Sequence, residues 1–280
     1  MRRWLLPALV LLLALGEQQG PAGALAAPPA RTQAAVVLFR DGFARADGLV
    51  TNEYAYWNPR SAAALHSPVW ELTSGSLFAR GGAGWSGVPD GASPDATSSN
   101  GTGSAVFRLT TKHAGFGDVT VGFRLRNLRL VATGRTAAVA WDGVHVLLRY
   151  RSQAELYAVS VNRRDHTAVI KKKLPGGPTN GGTYHTLAAT AHRVPYGAWQ
   201  RVAAAALTNP DGSVTITLRA GGQELLRATD RGVGGPPITR PGKVGLRGDN
   251  CEFQFDDLTI SRTRPPPSPR HPGRVLHGIR

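Results

Sequence analysis

His145, Arg149, Arg151, Tyr157 and Asn162 fall within one stretch, WDGVHVLLRYRSQAELYAVSVNRRDHTAVIKKKL, residues 141–174. An imidazole, two guanidiniums, a phenol and an amide are the groups that hold sugar hydroxyls and carboxylates. Alternation along an extended chain puts Val144, Val146, Leu148 and Tyr150 on one face and His145, Leu147, Arg149 and Arg151 on the other. In the next run Tyr157, Val159, Val161 and Arg163 alternate with Leu156, Ala158, Ser160 and Asn162. Arg149 set beside Tyr157 or Asn162 would form a polar patch for a carbohydrate. The competing expectation is an ordinary wet face of an antiparallel sheet. Two tryptophans join the ligand-binding candidates. Trp57 belongs to a cluster with Tyr54 and Tyr56, and Trp85 is the one large apolar residue of a Gly/Ser/Pro-rich stretch at 81–104. Flat aromatic faces suit sugar rings, although such a cluster also pins a long loop to a core.

Other chemistries find little support. His113, His145, His166, His185 and His192 lack zinc spacing, and neither a phosphate-cradling Gly-rich loop nor a Ser-His-Asp pattern is present. Cys251 is the only cysteine, so no intrachain disulfide forms, and its apolar context CEFQF reads as a small buried residue. Lys171-Lys172-Lys173 reads as a charged strand end that discourages edge pairing.

The elements that position these residues are strands. The apolar runs Val144–Tyr150, Leu156–Val161 and Thr167–Lys173 are separated by links too short for a crossover helix, which predicts an antiparallel meander. Val119, Val121, Phe123 and Leu125 keep one face of a further strand. LPGGPTNGGT reads as a Gly/Pro-rich loop, and Asn209-Pro210-Asp211-Gly212 as a turn joining two late strands. Phe253 and Phe255 set one phase while Leu258 and Ile260 set the other, which predicts a bulge at Asp256-Asp257. About twelve short strands without helical periodicity predict an all-β fold, a two-sheet antiparallel β-sandwich.

The ends differ from this domain. Arg2 and Arg3, the apolar run Trp4–Leu15 and Ala24-Leu25-Ala26 form the three-part pattern of a secretory signal peptide over residues 1–26. Its apolar run is too short to span a bilayer, so cleavage and a secreted, extracellular protein are expected. An Ala/Pro-rich lead-in covers 27–35, the sandwich 36–261, and a basic Pro/Arg tail expected to be disordered 262–280. Asn100-Gly101-Thr102 is a weak glycosylation match. The chain carries +15, of which residues 27–261 hold +9, from 26 basic and 17 acidic residues. Such a field favours anionic partners. For an exported chain these would be acidic polysaccharides or an anionic cell wall contacted by the tail, rather than nucleic acid.

WELTSGSLFAR, GAWQRVAAAA and GKVGLRGDNCEFQFDDLTIS, in that order, resemble the early hairpin, the late Trp-led strand and the closing strand pair of the concanavalin A-like, laminin G-like jelly roll of secreted bacterial proteins. The resemblance implies a carbohydrate-binding, lectin-like module. It implies alternatively a polysaccharide lyase or glycoside hydrolase, or a cell-surface interaction protein. Glycosidases of the fold carry an acidic cluster on one strand, whereas Glu155, Glu224 and Glu252 stand apart here. Lyases of the fold carry a Gln-x-His strand, and Gly143 stands where that Gln would be in GVHV. A lyase reading would rest on His145, Arg149 and Tyr157. Jelly rolls of this class place calcium where first and last strands meet, which makes Asp41, Asp256 and Asp257 the candidates for a structural Ca2+.

Overall fold

A computed structural model describes residues 35–89, 105–134 and 136–263. The signal-like segment, the glycosylation triplet and nearly all of the basic tail lie outside the described residues.

Among the described residues, alternating apolar and polar residues in short runs build sixteen strands into two antiparallel sheets. Seven strands form one sheet: β3 (Trp70–Ser74), β6 (Val106–Thr111), β8 (Gly143–Ser152), β9 (Glu155–Arg163), β10 (Thr167–Thr179), β11 (Gly182–Ala191) and β15 (Lys243–Asp249). Their spatial order is β11-β10-β9-β8-β15-β6-β3. The other sheet contains β1 (Val37–Asp41), β2 (Gly48–Asn52), β4 (Ser76–Arg80), β5 (Ala83–Trp85), β7 (Val119–Leu130), β12 (Trp199–Thr208), β13 (Val214–Ala220), β14 (Gln223–Asp230) and β16 (Cys251–Arg262). Here the order is β14-β13-β12-β7-β16-β5-β4-β2, with β1 also on β16. One helical turn, α1 (Tyr54–Trp57), packs on β3. Among the described residues no helix is long and apolar enough to cross a membrane.

The inner faces meet in one core. Val121, Phe123, Leu125, Phe253 and Phe255 from the nine-stranded sheet face Leu109, Val144, Val146, Leu148 and Val159 from the other. Burying each such side chain contributes about 1.5–3 kcal/mol. The expected meander forms with β8, β9 and β10 antiparallel and adjacent. It gains a fourth strand, because LPGGPTNGGT is not a loop. Asn180 and Gly181 both take positive φ (44° and 73°), which closes a tight hairpin and lets β10 run on to Thr179 against β11. The bulge at the acidic pair is also present, as the β16–β7 register shifts between Asp256 and Thr259 and Asp257 has φ 51°.

The strict alternation expected along β8 fails at one residue. Arg149 adopts φ 48°, a left-handed conformation that costs about 1–2 kcal/mol for a residue with a Cβ. The pairing of β8 with β9 skips from Leu148 to Ser152 at this point. The result is an inversion: Arg149 turns into the interior and Tyr150 turns out to the opposite face.

Candidate functional site

The outer face of the seven-stranded sheet carries a cavity of about 280 Å³. Leu147 and Ala158 supply apolar floor, and with Tyr150, Leu156 and Tyr184 they form a small hydrophobic cluster separate from the main core. Trp141 stands at the cavity, the most exposed large apolar residue among those described at 55%. His145, Ser160, Arg247 and Asp249 supply the polar end.

That end is an ordered network. Arg247 on β15 sits opposite both Arg108 of β6 and His145 of β8. Its guanidinium grips Asp249 with two hydrogen bonds of 2.7 Å. His145 spans to the same carboxylate at 3.3 Å through Nε2 and to the Ser160 hydroxyl at 2.7 Å through Nδ1. Burial alone would raise the Asp249 pKa, but the Arg247 charge and the His145 hydrogen bond outweigh it and hold the carboxyl well below its usual range. Burial would likewise lower Arg247, and the Asp249 charge holds it above the ordinary value. Ser160, His145 and Asp249 share composition with a hydrolase triad without its geometry. Ser160 is mid-strand between β8 and β10, where its neighbouring amides serve the sheet ladder, and Asp249 is neutralised by Arg247. The trio shapes a polar floor.

Lys171 lines the other end. Strand alternation puts Lys171 and Lys173 on the outer face, where Lys171 borders the cavity and Lys173 is covered at 1% exposure, and sends Lys172 inward to a fully buried ion pair with Asp230 at 2.9 Å. Lys171 and Lys173 lie 5.6 and 4.8 Å from the Tyr184 ring centre. Neither makes an ion pair with a carboxylate among the described residues. The Lys173 ammonium donates to the Gln153 carbonyl at 2.6 Å. Burial, then the charges of Arg247 and Arg108, push its pKa down to about 8. Burial lowers Lys171 too, followed by the Arg163 charge. Lys171, a cation without a carboxylate partner beside an aromatic ring and an apolar floor, can accept a carboxylate on a ring-shaped ligand.

Of the residues nominated from sequence, only His145 belongs to this cavity. Arg149 is wholly buried on the inner side, donating to the Ile238 carbonyl (2.5 Å), Asp118 Oδ1 (2.6 Å) and the Thr208 hydroxyl (2.9 Å). Tyr157 is wholly buried as well. Its hydroxyl donates to Asp230 at 2.6 Å and accepts from the Ile238 amide at 3.0 Å, and burial followed by the Asp230 hydrogen bond raises its pKa. Asn162 is buried, bonding Asn127 of the facing sheet at 3.0 Å, because the register shift between Val144 and His145 moves it inward. Arg151 lies at the exposed strand end, paired with Glu155 at 3.2 Å. The patch expected from Arg149, Tyr157 and Asn162 is therefore a set of interior contacts, and the lyase grouping of His145, Arg149 and Tyr157 is divided between the two sides of the sheet. Gly143 has φ 139° and lies so close to β9 that a Cβ would fall 1.9 Å from the Asn162 carbonyl oxygen. Glutamine does not fit there.

Trp57 is half-exposed, but its indole donates to the Thr73 carbonyl at 2.8 Å, tying α1 to β3. Trp85 lies on the nine-stranded sheet, donating to Glu252 at 3.0 Å beneath Arg80. The lysine run is not an edge, since β10 has neighbours on both sides. Asp41 accepts from Arg45 at 2.8 Å and from the Trp70 indole at 2.8 Å. Asp256 and Asp257 both hold Arg124, Asp257 at 3.0 Å. Among the described residues no three acidic, His or Cys groups gather closely enough to hold a metal. Sequence reasoning missed Lys171, Tyr184, Trp141, Ser160, Arg247 and Asp249 as partners in a site.

A protein of unknown function with a galectin-like fold from Bacillus subtilis aligns with 81% of this chain and 96% of its own, at TM-score 0.51 and 13% identity. The fold is a concanavalin A-like jelly roll. Carbohydrate binding module CBM66 from Bacillus subtilis (TM-score 0.48, 11% identity, 69% of this chain and 94% of that one) also aligns with this jelly roll. So does LamAcat from Zobellia galactanivorans (TM-score 0.49, 10% identity, 81% and 97%). No protein-family model and no curated protein matches the sequence. At such identities a jelly roll establishes architecture alone, and function has to be argued from the site.

Proposed function

We propose that this jelly roll is a carbohydrate-binding module that acts outside the cell, after removal of residues 1–26, and takes an acidic polysaccharide on the outer face of its seven-stranded sheet. The observation that carries this reading is Lys171, a cavity-lining cation without a carboxylate partner among the described residues, beside Tyr184 and an apolar floor. A uronate ring would rest on that floor near Trp141, with its carboxylate drawn to Lys171 and its hydroxyls to His145, Ser160 and Asp249. Charge on the sugar gives Lys171 a role that a neutral glycan would not, because a cation partly withdrawn from water gains most from a charged acceptor. The likeness to a carbohydrate-binding module is consistent with the class of ligand without bearing on its identity. The basic tail at 262–280 would add attraction to an anionic wall.

Retention on immobilised polygalacturonate, compared with neutral galactan, tests the proposal. Retention on the acidic polymer alone is expected, and equal or absent retention on both would overturn it. New ultraviolet absorbance from unsaturated chain ends during the incubation would replace binding with eliminative cleavage.

A further inference from the structure

The nine-stranded sheet has a trough of about 450 Å³ on its own outer face, lined by Arg40, Arg124, Arg201 and Arg219. Register explains its form. Arg40 pairs with Thr259, Thr259 with Gly122, Gly122 with Ala203, and Ala203 with Arg219, so one row crosses five strands. The three middle members are small, and the two ends are arginines four strand spacings apart, about 19 Å. Alongside this floor Arg124 and Arg201 stand directly opposite each other in the β7–β12 ladder. Like charges directly opposed destabilise a sheet. Asp256 and Asp257 answer only Arg124, while exposed Arg40, Arg201 and Arg219 make no ion pair among the described residues. Arg219 reaches the Gly222 carbonyl at 2.6 Å, and Arg124 lies over the Trp199 ring.

We infer that this trough is a second binding site, distinct from the cavity on the other sheet, for a linear polymer carrying sulfate or phosphate esters. Its lining cations are all arginines, whose planar fork pairs two donors with a tetrahedral oxyanion, whereas in the other cavity Arg247 is already committed to Asp249 and Arg163 to Asp165. The small floor lets an extended chain lie across the strands, with Arg40 and Arg219 at its ends and the Arg124–Arg201 pair along one wall. A polymer held there would also remove the repulsion between Arg124 and Arg201. Binding on two opposite faces would make the protein a cross-linker of anionic chains.

The test is titration of the full chain with dextran sulfate, with poly(glycerol phosphate) and with neutral dextran over a range of salt. Binding to the sulfate polymer, the phosphate polymer or both supports the inference and tells which ester is preferred; binding to neither overturns it. The double substitution Arg201→Ala/Arg219→Ala is expected to weaken binding at least tenfold and to lower the slope of log affinity on log salt by roughly 2, about one per arginine removed. Arg201→Ala should leave the melting temperature unchanged or higher, which separates lost binding from lost folding. Lys112→Ala, an exposed lysine that lines neither cavity, should leave this binding intact. Affinity and salt slope unchanged in the double variant, or an equal loss in Lys112→Ala, would assign the binding to diffuse positive charge and overturn the inference. Because the two sites are probed by different variants, either can fail alone.

Discussion

Replacing Arg149 with Met should unfold the protein more easily and leave carbohydrate binding untouched. The guanidinium is fully buried, with charged or carbonyl acceptors at 2.5 and 2.6 Å and the Thr208 hydroxyl at 2.9 Å. Asp118 also accepts the Thr208 amide at 2.8 Å, so removing the cation leaves a half-buried anion, held in place at the sheet's end, without its charged partner. Breaking one member of a buried pair costs about 3–5 kcal/mol. Asp118 is partly open to water at the sheet's end, which favours the lower figure. Relief of the left-handed φ does not offset this, since Met carries a Cβ too. For a domain of this size, 3 kcal/mol corresponds to a fall in melting temperature of roughly 6–12 °C. Urea unfolding at pH 7 measures the change through the midpoint at constant slope, and retention on polygalacturonate measures the site. A loss below about 1 kcal/mol would refute the interior network. Lost retention in a fully folded Arg149→Met would refute its inward placement.

Further expectations follow from neighbouring residues. Lys173 titrates near 8 when folded, against about 10.4 for a free lysine. Between those values the unfolded chain binds the extra proton, so this residue makes stability rise with pH. Lys173→Met should abolish this rise, and an unaltered dependence of stability on pH in that variant would count against the assignment. Gly143→Ala should fail to fold or lose at least about 2 kcal/mol, from positive φ and the clash with the Asn162 carbonyl, and a normal urea midpoint would disprove it. Melting temperature should be the same in calcium and in chelator, because Asp41, Asp256 and Asp257 are committed to arginine and indole partners; a calcium-dependent rise would reinstate the metal.

The sheet architecture was legible wherever alternation was unbroken. Val119 to Leu125 and Val144 to Leu148 kept their core face, and the phase change between Phe255 and Leu258 marked a real bulge. The site was legible only in part, since a single left-handed residue reverses every side chain after it and arginine carries no outward sign of that conformation. Glycine would have flagged it. Lys171 and Lys173 could have been paired on one face from alternation alone. Arg247 and Asp249 could not, because β15 reaches β8 from about a hundred residues away along the chain, and only the strand order sets them beside His145. Tyr184 required the hairpin at Asn180-Gly181, where a Gly/Pro-rich composition concealed strand pairing that resumes at Thr179 after a register break at Pro175.

The central claim is that the outer face of the seven-stranded sheet binds an acidic sugar through Lys171, and calorimetric titration of oligogalacturonate into the Lys171→Ala variant tests it most directly. A lost charge-assisted contact of about 1.5–3 kcal/mol predicts an affinity at least tenfold weaker, with the melting temperature retained. Affinity equal to that of the unaltered protein would contradict the account.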